Sequence, residues 1–219
     1  MHYKVQGVEI RSENAAKPTT AASTYLVTWL HNREFTQSAL DFGCGKLRYT
    51  RHLAQQSKFL GIVDSKVQIT RNQRIDGKYM SVYEYVRERW PQWRIHILEE
   101  FCKNPSHHYR FILCSNVLSA IPCPKARANS LRAIYEALHP KGQVLFVNQH
   151  SNSYFKEVRQ RNSTCLHLDG WIAKSRGNAS YYGILNKESV IRLVIRYGFS
   201  VKEAWIKGQS NYVIASKGK

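Results

Sequence analysis

The sequence predicts an α/β fold built on a mostly parallel sheet, and three apolar runs carry that prediction. The first opens residues 39–48 (ALDFGCGKLR), which read as the end of a buried strand, a tight turn and the start of a helix. The second run, residues 59–63 (FLGIV), ends in Asp64. The third run, residues 111–114 (FILC), is continuous, as expected for a central strand covered on both faces.

The chain before the first strand is expected to contribute little to this sheet. Residues 1–17 show no clear pattern and are predicted to be an irregular lead-in. A helix follows Pro18, because Ala22, Leu26, Trp29 and Leu30 recur at helical spacing on one face. Residues 1–36 are therefore expected to form an N-terminal lead-in and helix.

The turn after the first strand has the features of a ligand site. Gly43 and Gly45 carry no Cβ, so the backbone there can turn sharply and approach a ligand. Asp41 places a carboxylate at the carboxyl end of the strand, where ligands bind in open α/β sheets. Asp64 follows Gly43 by 21 positions, the spacing at which an acidic side chain accepts ribose hydroxyls. This unit predicts a site for a nucleoside cofactor.

The rest of the chain alternates between the two periodicities. Amphipathic spacing predicts helices over residues 79–90, 131–138 and 190–197. Strands are expected at residues 94–98, 144–147, 199–206 and 211–216, the last two joined by a hairpin turn.

Four segments together resemble the ordered landmarks of class I S-adenosylmethionine-dependent methyltransferases. They are LDFGCG at 40–45, the strand ending in Asp64, FILCSNVL at 111–118 and LHPKGQVL at 138–145. The similarity runs from about residue 39 to the end of the chain. It implies a Rossmann-like, doubly wound, mostly parallel seven-stranded sheet with helices on both faces and an antiparallel C-terminal strand. It also implies S-adenosyl-L-methionine as the cofactor.

The resemblance also assigns cofactor-binding residues. It brings the glycine turn to the methionine part of the cofactor, Asp64 to the ribose and Glu99 close to the adenine. The full set implied is Asp41, Gly43, Cys44, Gly45, Asp64, Glu99 and Ser115. One departure concerns Leu47, which stands where the family often has a third glycine, so a wider turn or a looser cofactor contact is expected. A nicotinamide-binding domain competes for the same glycines, but the GxGxxG spacing is incomplete and no second substrate domain is available.

Two residues are candidates for catalysis. Asn116 follows the fourth strand, which the resemblance places beside the transferred methyl group, and its amide both donates and accepts hydrogen bonds. His150 emerges at the carboxyl end of the fifth strand and titrates near pH 6.5 when unperturbed, so it is a candidate base, with a loop histidine as the alternative. The Asp/Asn/Ser-Pro-Pro-aromatic motif of DNA amino-methyltransferases is absent after the fourth strand.

Residues 149–184 are too long for a plain connector and are predicted to be a substrate-recognition insertion. This segment interleaves cations with aromatic rings, a composition that suits stacking on bases and pairing with phosphates, or enclosing a small anionic or aromatic acceptor. Its predicted substrate-binding residues are Tyr154, Arg159, Arg161, Trp171, Lys174, Arg176, Tyr181 and Tyr182.

Charge favours a polyanionic partner. Thirty-three basic residues against fifteen acidic ones give a formal net charge of +18, which attracts DNA or RNA. A generally basic, solvated surface explains the same charge equally well. The sequence therefore leaves three functions open: a nucleic-acid methyltransferase, a small-molecule methyltransferase, and a nucleic-acid-binding module that keeps the fold but has lost catalysis.

Length and composition set the remaining bounds. A chain of 219 residues suits a single methyltransferase domain over residues 1–219. No apolar stretch approaches the roughly 20 residues that span a bilayer, and the N-terminus lacks the apolar core of a signal peptide. The five cysteines fit no zinc pattern and are expected to be reduced thiols, so a cytoplasmic protein with no metal and no membrane partner is expected.

Overall fold

The computed structural model describes residues 2–33, 37–105, 107–150, 157, 160, 164–175 and 178–218, with the side chains of residues 175 and 178 outside that description. The strands are β1 (His2–Val5), β2 (Val8–Arg11), β3 (Ser38–Phe42), β4 (Phe59–Asp64), β5 (Gln73–Ile75), β6 (Lys78–Met80), β7 (Arg94–Ile97), β8 (Tyr109–Ser115), β9 (Leu138–Gln149), β10 (Thr164–His167), β11 (Gly170–Ser175), β12 (Asn178–Gly183), β13 (Phe199–Lys207) and β14 (Ser210–Lys217). The helices are α1 (Thr24–His31), α2 (Thr50–Gln55), α3 (Lys66–Thr70), α4 (Val82–Arg89), α5 (Leu98–Phe101), α6 (Pro124–Ala137) and α7 (Lys187–Arg196). Short 3₁₀ turns occupy Ser12–Ala15, Thr19–Ala21 and Leu118–Ala120.

The main sheet has seven strands in the order β7-β4-β3-β8-β9-β14-β13. The strands β7, β4, β3, β8 and β9 pair in parallel, whereas β14 runs antiparallel to both of its neighbours. This confirms the predicted seven-stranded, mostly parallel sheet with an antiparallel C-terminal strand. The predicted hairpin at the end of the chain is also present, with bounds shifted by at most one residue.

Both faces of the main sheet are buried, as the continuous apolar strands predict. Alternate residues of β8 face opposite sides: Leu113 packs with the first core cluster and Ile112 with the second. The first cluster takes side chains from α1, α2 and α4, and the second takes them from α6 and α7. Helices therefore cover both faces, which fixes the carboxyl ends of the strands as the open edge.

A second, five-stranded sheet has the order β1-β2-β12-β11-β10. It joins the N-terminus to the predicted insertion, since β2 pairs in parallel with β12 at Ile10 and Ala179. The prediction of an irregular lead-in over residues 1–17 was wrong for β1 and β2, which form a hairpin turning at Gln6 and Gly7, both with positive φ. Each strand has only four residues, so its periodicity is too short to recognise, and its partner strand lies almost 170 positions away.

A partly buried ion pair links the second sheet to the main body. Arg127 of α6 donates to both carboxylate oxygens of Asp169, at 2.5 Å from Nη1 to Oδ2 and 3.1 Å from Nη2 to Oδ1. The hydroxyl of Tyr181 also donates to Asp169. Burial raises the pKa of the Asp169 carboxyl, but the bonds from Arg127 and Tyr181 outweigh that effect and hold it below its usual value. A Cβ at Gly183 would lie 2.9 Å from the carbonyl oxygen of Ser119, so only glycine lets β12 approach so closely.

The structure bears on two of the expectations drawn from composition, those about cysteines and about membrane-spanning segments. All five cysteines are free thiols, and Cys44 and Cys114 are buried. Over the residues that the structure describes, no helix is both long and apolar enough to cross a membrane.

Candidate functional site

A cavity of about 830 Å³ opens at the carboxyl ends of the main sheet. Its floor is formed by the glycine turn after β3, the end of β4 and the residues that follow β8. Residues of the segment 12–17 and of β12 lie across from them, and the tip of the β13–β14 hairpin closes one side. The strand order reverses between β3 and β8, so the cavity lies at the topological switch point, where ligands bind in open α/β sheets.

The glycine turn is shaped by steric limits on both of its glycines. Gly43 has φ +82°, and a Cβ there would lie 2.2 Å from Cγ2 of Val117. Its N–H donates to the carbonyl oxygen of Val63 at 2.8 Å, which fixes the turn against β4. Gly45 has φ +55°, and a Cβ there would meet the Cβ of Ala16 at 3.4 Å. Gly43 is therefore required both by its positive φ and by the packing of Val117, whereas Gly45 is favoured by its positive φ alone.

Leu47 adopts the backbone conformation that a glycine would adopt without strain. Its φ is +61°, which costs a non-glycine residue roughly 1–2 kcal/mol. The side chain is only 4% exposed and packs in the first core cluster, so its burial offsets that cost. The turn thus keeps the left-handed conformation at the position where the family often has its third glycine.

Asp64 is a partly buried carboxylate held by backbone donors. Its Oδ2 accepts from the N–H of Gly45 at 2.8 Å, and its Oδ1 accepts from the N–H of Ser65 at 2.7 Å. Burial raises the pKa of this carboxyl, and the two backbone bonds act in the opposite direction. Each carboxylate oxygen has a second lone pair, so both retain capacity to accept a ligand hydroxyl.

Asp41 is buried beside the same turn. Its Oδ2 accepts a hydrogen bond from the hydroxyl of Thr50 at 2.6 Å. Burial raises the pKa of Asp41 to about 6, and the neighbouring charge of Asp64 contributes in the same direction. A cationic group bound nearby would favour the ionised form of this carboxyl.

Gln68 supports the turn and was missed in the sequence. Its Nε2 donates to the carbonyl oxygen of Gly45 at 2.7 Å, and its Oε1 accepts from Arg71 at 2.7 Å. Arg71 also donates to the backbone carbonyl of Glu13 at 2.8 Å, which ties the N-terminal segment to the turn. The available signal was the spacing from Ser65 to Gln68 at the start of α3, which is the pattern of a capping box.

Asn116 joins the ends of two strands under the cavity. Its backbone has φ +59°, its N–H donates to the carbonyl of Val147 at 2.7 Å, and its Oδ1 accepts from the N–H of Gln149 at 2.8 Å. Its Nδ2 lies 3.5 Å from the hydroxyl of Ser115, at the limit of hydrogen bonding. The side-chain carbonyl is therefore committed to β9, and the amide N–H groups are the part that can serve a ligand.

The structure places the other predicted site residues in three groups. Cys44, Ser115, Tyr181 and Tyr182 line the cavity with the residues above. Glu99, His150, Trp171 and Lys174 are among the described residues but do not line it. Tyr154, Arg159, Arg161 and Arg176 lie outside the described residues.

Two of the residues outside the cavity wall are positioned by backbone contacts. His150 donates its backbone N–H to the carbonyl of Gln209 at 3.0 Å, which places His150 beside the tip of the β13–β14 hairpin. Glu99 is exposed on α5 and accepts a long hydrogen bond, 3.4 Å, from the N–H of Lys66. Gln149 lines the cavity at the end of β9, one position before His150.

Comparison with known proteins gives the family. Residues 11–204 match the family described as a methyltransferase domain. The chain is 38% identical over 213 residues to YmfD of Escherichia coli K12, a protein described as uncharacterized, covering 97% of this chain and 95% of that one.

Solved structures share the fold at low sequence identity. An S-adenosylmethionine-dependent methyltransferase from Clostridium acetobutylicum superposes with a TM-score of 0.63 at 13% identity, over 94% of each chain. The 1,6-didemethyltoxoflavin-N1-methyltransferase of Burkholderia thailandensis, solved with 1,6-didemethyltoxoflavin and S-adenosylhomocysteine, gives 0.62 at 16% identity, over 91% of this chain and 79% of that one. The N-methyltransferase NodS of Bradyrhizobium japonicum gives 0.56 at 14% identity, over 89% and 85%.

The chain therefore belongs to the class I S-adenosylmethionine-dependent methyltransferases. Its site fits S-adenosylmethionine on two observations: Gly43 and Gly45 bring backbone without side chains to the cavity wall at positive φ, and Asp64 presents a partly buried, acceptor-only group at the end of β4. No cluster of three or more His, Cys, Asp or Glu side chains suited to a metal ion occurs within the described part of the chain.

Proposed function

We propose that this protein transfers the methyl group of S-adenosylmethionine to a small-molecule acceptor held in the cavity beneath the second sheet. The observation that carries the proposal is the lining of the cavity: residues of the segment 12–17 and of β12 border the same cavity as the glycine turn and Asn116. A volume of about 830 Å³ is within the range of small-molecule sites. The neighbour solved with 1,6-didemethyltoxoflavin supports the same class of acceptor.

The proposed mechanism assigns binding and alignment to the protein. The cofactor, when bound, supplies an electrophilic sulfonium methyl group. Asp64 accepts hydrogen bonds from the ribose hydroxyls, and the turn at Gly43 and Gly45 lets the backbone approach the amino-acid part. The amide N–H groups of Asn116 orient the acceptor. Alignment of two reactants alone can supply a large part of the rate enhancement, so the mechanism assigns no general base.

The first test is thermal unfolding with and without S-adenosylhomocysteine, on protein freed of nucleic acid. Ligand at 100 times its Kd adds about 2.7 kcal/mol to stability, which corresponds to an increase in Tm of roughly 5–10 °C for a domain of this size. Asp64→Asn is expected to reduce the shift, because an amide replaces one acceptor oxygen with a donor. Glu203→Gln, at an exposed carboxylate of β13 that does not line the cavity, is the matched control and is expected to keep the full shift.

The absence of a shift at millimolar S-adenosylhomocysteine would contradict cofactor binding, and would favour the alternative of a module that has lost catalysis. A shift that Asp64→Asn leaves undiminished would move the cofactor site away from β4. Acceptor class is tested separately, by transfer of labelled methyl groups into a cell extract divided into nuclease-treated metabolites and purified nucleic acid. Label in the nucleic acid alone would contradict a small-molecule acceptor.

Nucleic acid remains the second candidate acceptor, and the formal charge of +18 is the observation that favours it. Under this candidate, polynucleotide binding weakens steeply with salt, in proportion to the number of phosphates neutralised. Replacing Arg159 and Arg161 by Ala is then expected to weaken binding and flatten the salt dependence. Binding unchanged by that double substitution would remove this segment as the nucleic-acid contact.

A further inference from the structure

We propose that the acceptor is a planar aromatic or heteroaromatic molecule with an anionic group, bound against Tyr25, Tyr212 and Lys207. This inference rests on the proposed function and names the chemical class of its substrate. It comes from the half of the cavity that lies under β9 and β14, which none of the cofactor-binding residues occupies.

The order of the strands separates the two halves of the cavity. Asp64 ends β4, and the glycine turn follows β3, the next strand. Across the sheet, β3 is followed by β8, β9 and β14. The strand β14 is therefore four strand positions away from β4, roughly 19 Å at the usual spacing between strands. With the ribose at β4 and the sulfonium beside the switch point between β3 and β8, the β9–β14 side is left for the acceptor.

Tyrosine rings dominate the aromatic lining of the cavity. Six tyrosines line it, whereas no phenylalanine or tryptophan does among the described residues. The six are Tyr3, Tyr25, Tyr49, Tyr181, Tyr182 and Tyr212. Tyrosine offers a flat apolar face together with a polar edge, a combination that suits a planar ligand with polar substituents.

The rings on the acceptor side are held rigidly. Tyr25 of α1 and Tyr212 of β14 meet edge to face, with centroids 5.3 Å apart and planes at 72°. Trp205 stacks on Tyr212 at 5.2 Å and 7°, and its Nε1 donates to the hydroxyl of Tyr25 at 2.9 Å. Tyr212 is only 1% exposed and Trp205 covers one of its faces, so it forms a fixed wall, and the half-buried Tyr25 is the ring against which an acceptor can pack. Because neighbours fix both rings, this packing costs little side-chain freedom in the protein.

Lys207 supplies the positive charge at this wall. Its Nζ lies 5.8 Å from the centroid of Tyr25, and the residue is exposed at the end of β13 while still lining the cavity. Among the described residues no carboxylate lies within ion-pair distance of it. An ammonium of this kind is available to a carboxylate or phosphate group on the acceptor.

The other cavity charges are placed elsewhere. Lys46 and Arg48 belong to the glycine-turn segment, and Lys17 follows Ala16, whose Cβ faces Gly45. These three cations therefore lie on the cofactor side. Glu13 is also on that side and forms an ion pair with His2 at 2.9 Å when the histidine is protonated. Of the cavity cations that the structure describes, this leaves Lys207 on the acceptor side.

The test uses three matched probes on protein saturated with S-adenosylhomocysteine: 4-hydroxybenzoate, 4-hydroxybenzamide and cyclohexanecarboxylate. They separate an aromatic anion from a neutral aromatic and from a non-aromatic anion. Calorimetric titration is expected to show 4-hydroxybenzoate binding at least tenfold more tightly than either of the others. Lys207→Gln is expected to bring the benzoate to the affinity of the amide, and Lys202→Gln, an exposed lysine on the same strand, to leave it unchanged.

Each contrary result bears on one part of the proposal. Equal affinity for the benzoate and the amide would overturn the anionic group, and equal affinity for the benzoate and the cyclohexane acid would overturn the aromatic ring. An equal loss in Lys202→Gln would show a general surface-charge effect and would overturn the role of Lys207. Failure of all three probes to bind at tens of millimolar, with the S-adenosylhomocysteine shift intact, would reject the acceptor class while leaving the proposed function standing.

Discussion

The glycine turn and the second sheet bound the same cavity, but they are built in opposite ways. The turn between β3 and β4 is held by backbone hydrogen bonds within a stretch of about 30 residues, including Gly43 to Val63 and Gly45 to Asp64. The second sheet joins the N-terminal strand β2 to β12 through Ile10 and Ala179, which are 169 positions apart, and a principal attachment to the main body is the ion pair between Arg127 and Asp169. The cofactor half is therefore a property of one local unit, whereas the cover depends on a few long-range contacts.

The largest effect is expected from breaking that attachment. Arg127→Met leaves Asp169, whose side chain is 29% exposed, without its partner, which costs on the order of 3 kcal/mol, at the lower end of the range for a fully buried pair. Urea unfolding should show this loss, and limited proteolysis should cut first within residues 164–183. The S-adenosylhomocysteine shift is expected to persist, because the glycine turn does not depend on this ion pair.

Arg132→Met is the control for this prediction, since Arg132 is exposed on the same helix. It is expected to change stability by less than about 0.5 kcal/mol. If Arg127→Met abolished cofactor binding while the main sheet stayed folded, the two regions would be one cooperative unit and the comparison would fail.

A pH-dependent effect is expected from Asp41, inside the local unit. Burial raises its pKa in the folded protein from 3.8 to about 6, so ionisation disfavours the folded state. The stabilising contribution is therefore complete below about pH 4 and is lost as the pH rises through about 6. The difference of roughly 2 pKa units corresponds to about 3 kcal/mol.

Asp41→Asn removes this titration and keeps an acceptor for the Thr50 hydroxyl. Urea unfolding of both proteins between about pH 4 and pH 7 should show wild-type stability falling relative to the variant. The carboxylates with lowered pKa, such as Asp76, act in the opposite direction but are present in both proteins and cancel. Parallel pH profiles of the two proteins would contradict a raised pKa for the Asp41 carboxyl in the folded protein.

A smaller effect is expected from overpacking the glycine turn. In Gly43→Ala the new methyl group would lie 2.2 Å from Val117, so the turn must shift, at a cost of about 1–3 kcal/mol beyond the strain of the positive φ. Gly77→Ala is the matched control, because Gly77 has φ +84° and open space around its Cβ position. Loss of the S-adenosylhomocysteine shift is expected in Gly43→Ala alone; the same loss in Gly77→Ala would exclude the steric explanation.

The smallest effect is expected at Leu47. Leu47→Gly relieves roughly 1–2 kcal/mol of backbone strain but removes a buried side chain, and the two terms partly cancel. Affinity for S-adenosylhomocysteine, measured by calorimetry, is expected to change by less than about threefold. A gain of tenfold or more would show that leucine distorts the turn after all.

The contrast between local and long-range contacts also explains which parts of the fold could be predicted from the sequence. The main sheet could be predicted because its strands are continuous apolar runs, and Asp64 because a fixed spacing from Gly43 has a physical meaning. The hairpin of β1 and β2 could not, since four-residue strands carry little periodicity and their partner β12 is remote in the chain.

In the candidate site, too, residues set by local sequence could be predicted and residues placed by long-range packing could not. Asn116 could be predicted as a polar residue following a buried strand. Lys207 and Tyr25 could not be predicted, because their proximity arises from packing α1 against the β13–β14 hairpin. Gln68 left a readable capping pattern, whereas its bond to Gly45 depends on how α3 turns back toward the glycine loop.

The most direct measurement is a crystal structure of the protein with S-adenosylhomocysteine. We expect the ribose hydroxyls to bind Asp64, the thioether to lie between Gly43 and Asn116, and Tyr25, Tyr212 and Lys207 to border an unfilled space beside it. An adenosine bound away from Asp64, or a homocysteine moiety that fills the space beside Lys207 and leaves no room for an acceptor, would contradict the proposed site.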